Sequence, residues 1–352
     1  MSEEISNRCT GCGAELRFDP ISGELKCTHC ESIVDIPDTT ALNTKRDFTP
    51  DSVASVNHND CTQYQCERCG NHHTVHDDHD VLRCPSCGSS ELNKKIEVSY
   101  IPDGLVPFKL NKEKALEAFV TWLKTRRFAP NNLKKLAKSK EISAVYLPAY
   151  NYDMETTTNY SGVGHKEHRG LDGKTHTTRH HFKDTRSDSH VDYLSSANPS
   201  VTGANLRDMG NFGLDNMVVY RTEYLYGWVG LANTDDIQHN IVTTKQDVES
   251  DIESDIRRDL NRKYSSISNL QCDTTFRSIK FNYVYLPVWI NHYKYKNKDY
   301  YCYVNGYSGK VTGKAPKSFW KIFFLVLGIV AVATMFVFRA EIFSFINGLF
   351  SK

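Results

Sequence analysis

Eight cysteines can act together as metal ligands, because they fall into two quartets with one spacing: Cys9, Cys12, Cys27 and Cys30, then Cys66, Cys69, Cys84 and Cys87. Each quartet reads C-x2-C, fourteen residues, C-x2-C. Four thiolates on two tight turns close a tetrahedral shell around Zn2+ and leave no position open for substrate. The expectation is two structural zinc ions. Disulfides are the rival reading, but reduced thiols suit a cytosolic compartment, and no secretory signal precedes Cys9. Outside the quartets, Cys61 reads as a spare thiol and Cys272 and Cys302 as small apolar residues of strands. His72, His73, His76 and His79 crowd the second quartet and read as a solvated loop.

Short elements must hold these turns. Gly11, Gly13, Gly70 and Gly88 lie beside the cysteines, where positive φ is useful. Glu15–Phe18, Gly23 and Glu24–Lys26 read as strand, turn, strand. Thr74–His76, an acidic turn at Asp77 to Asp80, and Val81–Arg83 repeat that pattern. Both units are too small to bury a core, so metal supplies much of their folding energy.

The remainder of the chain divides by composition. Residues 1–35 form zinc ribbon 1, the polar stretch 36–60 a flexible linker, and 61–95 zinc ribbon 2. Residues 101–315 form a body with its own core. Within it, Leu116, Phe119, Val120 and Leu123 mark a helix from Lys112 to Thr125, capped by Asn111, and Pro130 starts a second short helix. Val145-Tyr146-Leu147-Pro148-Ala149-Tyr150 is echoed by Val284-Tyr285-Leu286-Pro287-Val288-Trp289. Both lead into alternating aromatic residues, the pattern of strands with one face buried, with each proline at an edge or bulge. A polar strand region (160–193), a loop region (194–220) and a surface helix from Thr244 to Asn261 lie between the echoes. Asn305-Gly306 and Ser308-Gly309 mark turns of a closing hairpin. The fold class is α+β: two small N-terminal zinc ribbons, an antiparallel-β-rich body with packed helices, and one C-terminal transmembrane helix.

That helix is expected at 319–340, because the seventeen residues Ile322 to Phe338 carry no charge. At 1.5 Å each they reach about 26 Å, close to a hydrocarbon core of about 30 Å. Lys310, Lys314, Lys317 and Lys321 precede the span and Arg339 and Lys352 follow it, a bias that places the body in the cytoplasm. Lys321 is expected to snorkel toward headgroups. The apolar tail, 341–352, is too short to cross again and is expected to lie along the interface.

At the first ribbon, Arg127-Phe128-Ala129-Pro130, the Val145–Tyr152 strand, Glu223-Tyr224-Leu225-Tyr226-Gly227, Leu286-Pro287-Val288-Trp289, Val304-Asn305-Gly306, Thr312-Gly313 and the hydrophobic C-terminus, the chain resembles a group of largely uncharacterised bacterial zinc-ribbon membrane proteins. Such proteins are often labelled primosomal-helicase-like or transcription-factor-type zinc ribbon proteins. The resemblance implies a single-pass protein of the bacterial inner membrane and brings no reaction. This chain departs from the pattern in having two ribbons and a histidine-rich middle.

The helicase label fails on chemistry. A phosphate-binding loop needs G-x-x-x-x-G-K-[ST], whereas the nearest stretch, Gly306-Tyr307-Ser308-Gly309-Lys310-Val311, has the wrong spacing and valine for the hydroxyl. A metal-dependent hydrolase would start from His165 and His168, with His176, His180, His181 and His190 nearby. Strand alternation sets His165 against His168, and His180 against His181, so polar residues on a solvated ribbon are the plainer reading. Nucleic-acid binding has ten Lys or Arg against two Glu in residues 109–140 to recommend it. The ribbons themselves lean acidic, however, and a basic run equally suits anionic lipid. The expectation is a protein-binding or assembly module with membrane lipid and a protein partner through the ribbons, and no catalysis.

Overall fold

The computed structural model describes residues 5–36, 41–42, 44–49, 58–75, 83–130, 133, 142–170, 175–296 and 298–337. The helix expected after Pro130, the acidic turn at 77–80 and the 341–352 tail lie wholly or mostly outside them. The chain is α+β. Strands β1 (Leu16–Asp19), β2 (Glu24–Cys27) and β3 (Ile33–Val34) form a small antiparallel sheet. All other strands join one twelve-stranded sheet. They are β4 (Arg46–Asp47), β5 (His58–Cys66), β6 (His72–Val75), β7 (Leu92–Tyr100), β8 (Gly104–Leu105), β9 (Ile142–Arg169), β10 (Thr175–Ser196), β11 (Val218–Val219), β12 (Val229–Leu231), β13 (Ser266–Tyr295), β14 (Lys298–Asn305) and β15 (Val311–Gly313). Four α-helices are found among the described residues: α1 (Lys112–Thr125), α2 (Gly203–Asp208), α3 (Ile237–Leu260) and α4 (Phe319–Val337).

The spine is the antiparallel pair β9–β13, which runs from His165↔Ser266 to Ile142↔Asn291 with register shifts between Ser268 and Gln271 and between Phe276 and Ser278. The two echoed sequences meet at its middle: Tyr146 faces Pro287, Leu147 faces Leu286, and Pro148 faces Tyr285. Neither proline lies at an edge or bulge, as the sequence suggested. Each marks the place where a long strand changes neighbour. Before Pro148, β9 pairs in parallel with β12 at Val145 and Tyr146; after it, β9 pairs antiparallel with β10 from Ala149 onward. Before Pro287, β13 pairs in parallel with β8 at Val284 and Tyr285; after it, β13 pairs with β14 from Val288 onward. The Pro148 carbonyl accepts from Ala197 N (3.0 Å) and the Pro287 carbonyl from Gly306 N (2.8 Å). A missing N–H on that side falls in the gap between two partners, where no ladder needs it. The body is thus built twice from short strand, helix, long strand and returning strand, with the short strands exchanged between the halves.

Both faces of the spine are buried, whereas alternation had suggested one. Tyr146, Tyr150, Tyr152, Phe281, Tyr283 and Tyr285 share an aromatic core with Phe108, Phe119 and Phe18. Val145, Leu147, Ala149, Val284, Leu286 and Val288 line the opposite face under Leu206, Met209 and Phe212. The period of two is therefore one of size, aromatic against aliphatic, and a run apolar on both faces is what a fully covered strand requires. The covering layer on the aliphatic side includes α2, inside the stretch expected as loop.

Beyond residue 155 the spine emerges as a three-stranded blade of β10, β9 and β13, whose β10 residues 175–181 are exposed. Helix α3 clasps it: Tyr193 Oη donates to Asp251 (3.0 Å) and Arg186 reaches Asp259 (3.3 Å). This helix starts at Ile237, earlier than expected, because Asp236 caps it by accepting from His239 N (2.9 Å). Helix α1 has the expected bounds, with Asn111 Oδ1 accepting from Lys114 N (3.0 Å).

Candidate metal centres

Each of the four C-x2-C turns closes in one way. The amide of the first cysteine donates to the carbonyl five residues on: Cys9 to Ala14, Cys27 to Ser32, Cys66 to Asn71 and Cys84 to Ser89. Gly13, Gly70 and Gly88 take the fourth position after that cysteine, all at φ between 72° and 76°. In the remaining turn Glu31 occupies it, at φ 59°. Gly11 needs no such conformation.

The sulfur atoms converge as the spacing predicted; each quartet lies within 4.8 Å. Cys9–Cys30, Cys12–Cys27 and Cys12–Cys30 are 3.7, 3.5 and 3.5 Å apart, and Cys66–Cys87 and Cys69–Cys84 both 3.6 Å. A tetrahedron with metal–sulfur bonds of about 2.3 Å has edges of about 3.8 Å. A disulfide would need about 2 Å. The residues fit two tetrahedral ions, and among the described residues these quartets are the groups that could hold a metal. Four sulfur donors saturate the shell, so an ion held there has a structural role.

The surroundings of the two centres differ. In the first, Cys12 and Cys30 are exposed. The Ser32 hydroxyl lies 3.2 Å from Cys9 Sγ and 3.1 Å from Cys30 Sγ, and this contact holds the Cys9 thiol down to about 6. In the second, Cys66, Cys84 and Cys87 are buried. His73, expected in a solvated loop, is also fully buried, with Nε2 3.0 Å from Cys84 Sγ. Burial, followed by neighbouring His72, lowers its imidazole to about 4, so the ring is neutral at neutral pH. Opposite a metal-bound thiolate, which only accepts, Nε2 would carry the proton. Nothing in the cysteine spacing marks His73; its place in β6 beside Cys84 does.

Both units are fixed to the body. The first rests on the Glu223–Trp228 segment. Phe18 N donates to Tyr226 O, Trp228 Nε1 to Phe18 O (both 3.0 Å) and Ile5 N to Glu223 Oε1 (3.3 Å), while Phe18 packs edge-on against Tyr224. Glu223 is buried and bound by Arg221 at 2.6 Å. Gly227, at φ 78°, lies so close that a Cβ would meet Arg17. The second unit begins where this segment ends: β6 pairs with β12 through Thr74↔Gly230 and His73↔Leu231, and Ala232 N donates to His72 O (3.0 Å). Ten consecutive residues therefore receive both centres.

Described parts of the stretch expected as flexible linker are also pinned. β4 pairs with β13, Leu42 N donates to Met217 O, and Lys45 bridges Asp153 and Asp192. Backbone pairing, ion pairs and a few apolar side chains (Leu42 and Phe48, packed against the core) hold a mostly polar segment, so composition did not reveal it.

The other candidates disperse. His165 Nε2 lies 2.8 Å from Ser268 Oγ; His168 stacks with His176 at 6.0 Å; His180 faces Tyr264. Uninterrupted β9–β10 register through 163–169 keeps these side chains strung along the blade. Cys302 is buried, which raises its thiol, Cys272 is half-buried, and the Cys61 side chain is outside the described residues. Lys321, expected to snorkel, donates to Ala129 O at 2.7 Å.

The chain is 24% identical over 322 residues, 90% of its length and 92% of the relative's, to the uncharacterized protein YdjG of Bacillus subtilis (strain 168). No protein-family model matches the chain, and no solved structure matches it.

Proposed function

We propose that this is a membrane-anchored zinc-ribbon protein, with one span and its body in the cytoplasm of a bacterial cell, that works as a protein-binding or assembly module. The observation that carries the reading is α4. Phe319–Phe336 is long and apolar enough to cross a membrane and is wholly unburied, yet it is joined directly to a folded, largely polar body. An apolar helix with no protein face against it needs lipid or a partner to cover it. Lysines on the body side favour the cytoplasmic orientation, and a reducing compartment keeps both thiolate sets able to hold Zn2+.

The protein-binding part rests on the first unit. Ile21 and Ile33 stand 67% and 57% exposed on it. As the units are fixed, partners would meet a rigid surface rather than knobs on a tether. Nucleic acid is the weaker alternative, because Arg126 and Arg127 stand beside the foot of α4 (Lys321 bonds the carbonyl between Phe128 and Pro130).

Alkaline carbonate washing should leave the full chain in the membrane, and deletion from Phe319 onward should release a soluble body with two zinc ions. A reporter after Lys352 that works only in the cytosol would refute the crossing. Site-specific crosslinking in intact cells should give an adduct that Ile21→Asp or Ile33→Asp abolishes; an unchanged adduct pattern would refute the first unit as the contact. Alanine at His165, His168, His180 and His181 together should leave metal content unchanged. Loss of a third stoichiometric metal would instead support the hydrolase.

A further inference from the structure

A cavity of about 750 Å³ opens at the foot of α4, between the turn that follows α1 and the segment joining β15 to the span. Its rim carries Arg126, Arg127, Lys314 and Lys317, and no acidic residue lines it among the described residues. None of the four cations is ion-paired among the described residues. Arg126 is held in place, its guanidinium 4.4 Å from the Trp122 ring centre. Ala129, Ala315 and Pro316 give the floor an apolar character. The wall at Phe128 and Ala129 is tied to the foot of the helix: Ser318 N donates to Phe128 O (2.7 Å) and Lys321 Nζ to Ala129 O (2.7 Å). Phe128 is 39% exposed at the same level, as aromatic residues at a membrane interface are.

Cations over an apolar floor at the foot of an apolar helix, with Lys317 two residues before its first residue, match a ligand with a phosphate at one end and acyl chains at the other. We infer that this cavity binds the phosphate-bearing headgroup of an anionic phospholipid in the cytoplasmic leaflet. The inference rests on the membrane reading above. Arg126 and Arg127 offer planar forks to the phosphate oxygens, and Lys314 and Lys317 add mobile point charges. A nucleic-acid backbone would satisfy the cations and leave the apolar floor without a partner.

The test uses the full chain in nanodiscs of phosphatidylcholine carrying a minority of spin-labelled phosphatidylglycerol or spin-labelled phosphatidylcholine. The immobilised fraction should favour phosphatidylglycerol by about fivefold or more, the size expected when basic residues meet an anionic leaflet. Combined Arg126→Gln, Arg127→Gln, Lys314→Gln and Lys317→Gln should abolish the preference while the protein stays carbonate-resistant. Lys109→Gln with Lys310→Gln, outside the cavity, should leave it intact. An unchanged preference in the fourfold variant, or equal loss in the control pair, would overturn the site. Displacement of the labelled lipid by inorganic phosphate or by a single-stranded oligonucleotide would overturn lipid as the occupant. An inserted wild type without preference defeats the site alone, whereas a wild type released by carbonate defeats the membrane reading and the site with it.

Discussion

The two cysteine centres share spacing, turn geometry and sulfur separations, yet they belong to the molecule in different ways. The first keeps its own three-stranded sheet and joins the body through side chains, with Leu16, Phe18 and Leu25 in the body's aromatic core and hydrogen bonds to the Glu223–Trp228 segment. The second shares the body's sheet, since β5, β6 and β7 continue it beyond β12. A metal motif thus specifies its own turns and does not specify whether the unit stands apart or extends a larger sheet. That depends on whether its outer strand finds an open edge, as β6 does at β12.

The comparison breaks most decisively by removing each metal. A structural thiolate site is worth on the order of 10 kcal/mol to the segment that it folds. Cys9→Ser and Cys84→Ser should each cost one metal ion per chain. Hydrogen exchange should then rise within residues 5–36 for Cys9→Ser, and across β5, β6, β7 and β12 for Cys84→Ser. Matching local patterns in both variants would erase the distinction.

Next in size is the attachment of the first unit. Glu223→Ala removes the buried carboxylate that binds Arg221 and the Ile5 amide, a loss of up to about 3–5 kcal/mol, read as faster proteolysis within residues 5–36 and a lower unfolding midpoint. The native Glu223 carboxyl titrates below its usual value: burial acts to raise it, and bonds from Arg221 and the Ile5 amide outweigh that effect. Its stabilisation is therefore complete above the unfolded value of about 4.3 and is lost as pH falls through the lower folded value. Glu223→Gln should remove that increment of acid sensitivity; an identical acid midpoint in both proteins would contradict it.

Smaller effects sharpen the contrast between the sites. A chromogenic chelator should strip the first centre before the second, because Cys12 and Cys30 are exposed. His73→Phe removes the donor beside Cys84 and should weaken the second site by about tenfold without changing the first. Glu31→Gly, at the one turn lacking glycine, should stabilise the first unit by up to about 1 kcal/mol. No gain in the metal-loaded melting temperature would show that Glu31 rests there without strain.

What was legible in the sequence follows the range of the forces involved. Helix α1 was readable to its bounds because its cap and apolar face lie within fourteen residues. The thiol quartets were readable because each turn is closed over five residues. The start of α3 was missed because polar Asn240 and Thr244 interrupt its stripe, although both are buried, with Tyr152 Oη donating to Asn240 Oδ1 (3.0 Å). The pairing of Leu42 and of Lys45 to Asp47, within the stretch expected as linker, was missed because their partners lie far along the chain.

By itself the sequence determined the two cysteine quartets, the turns that aim them, the echoed strands and the apolar helix, all set by steric and hydrogen-bonding preferences among near neighbours. Only the tertiary structure decided that the two echoes pair with each other, that their prolines mark changes of partner, that both spine faces are covered, and that residues 223–232 receive both cysteine units. Those outcomes depend on which of several compatible strand edges meet. That choice is made by burying Tyr146, Phe281, Leu286 and their neighbours together, a gain available only once the whole chain has closed around them.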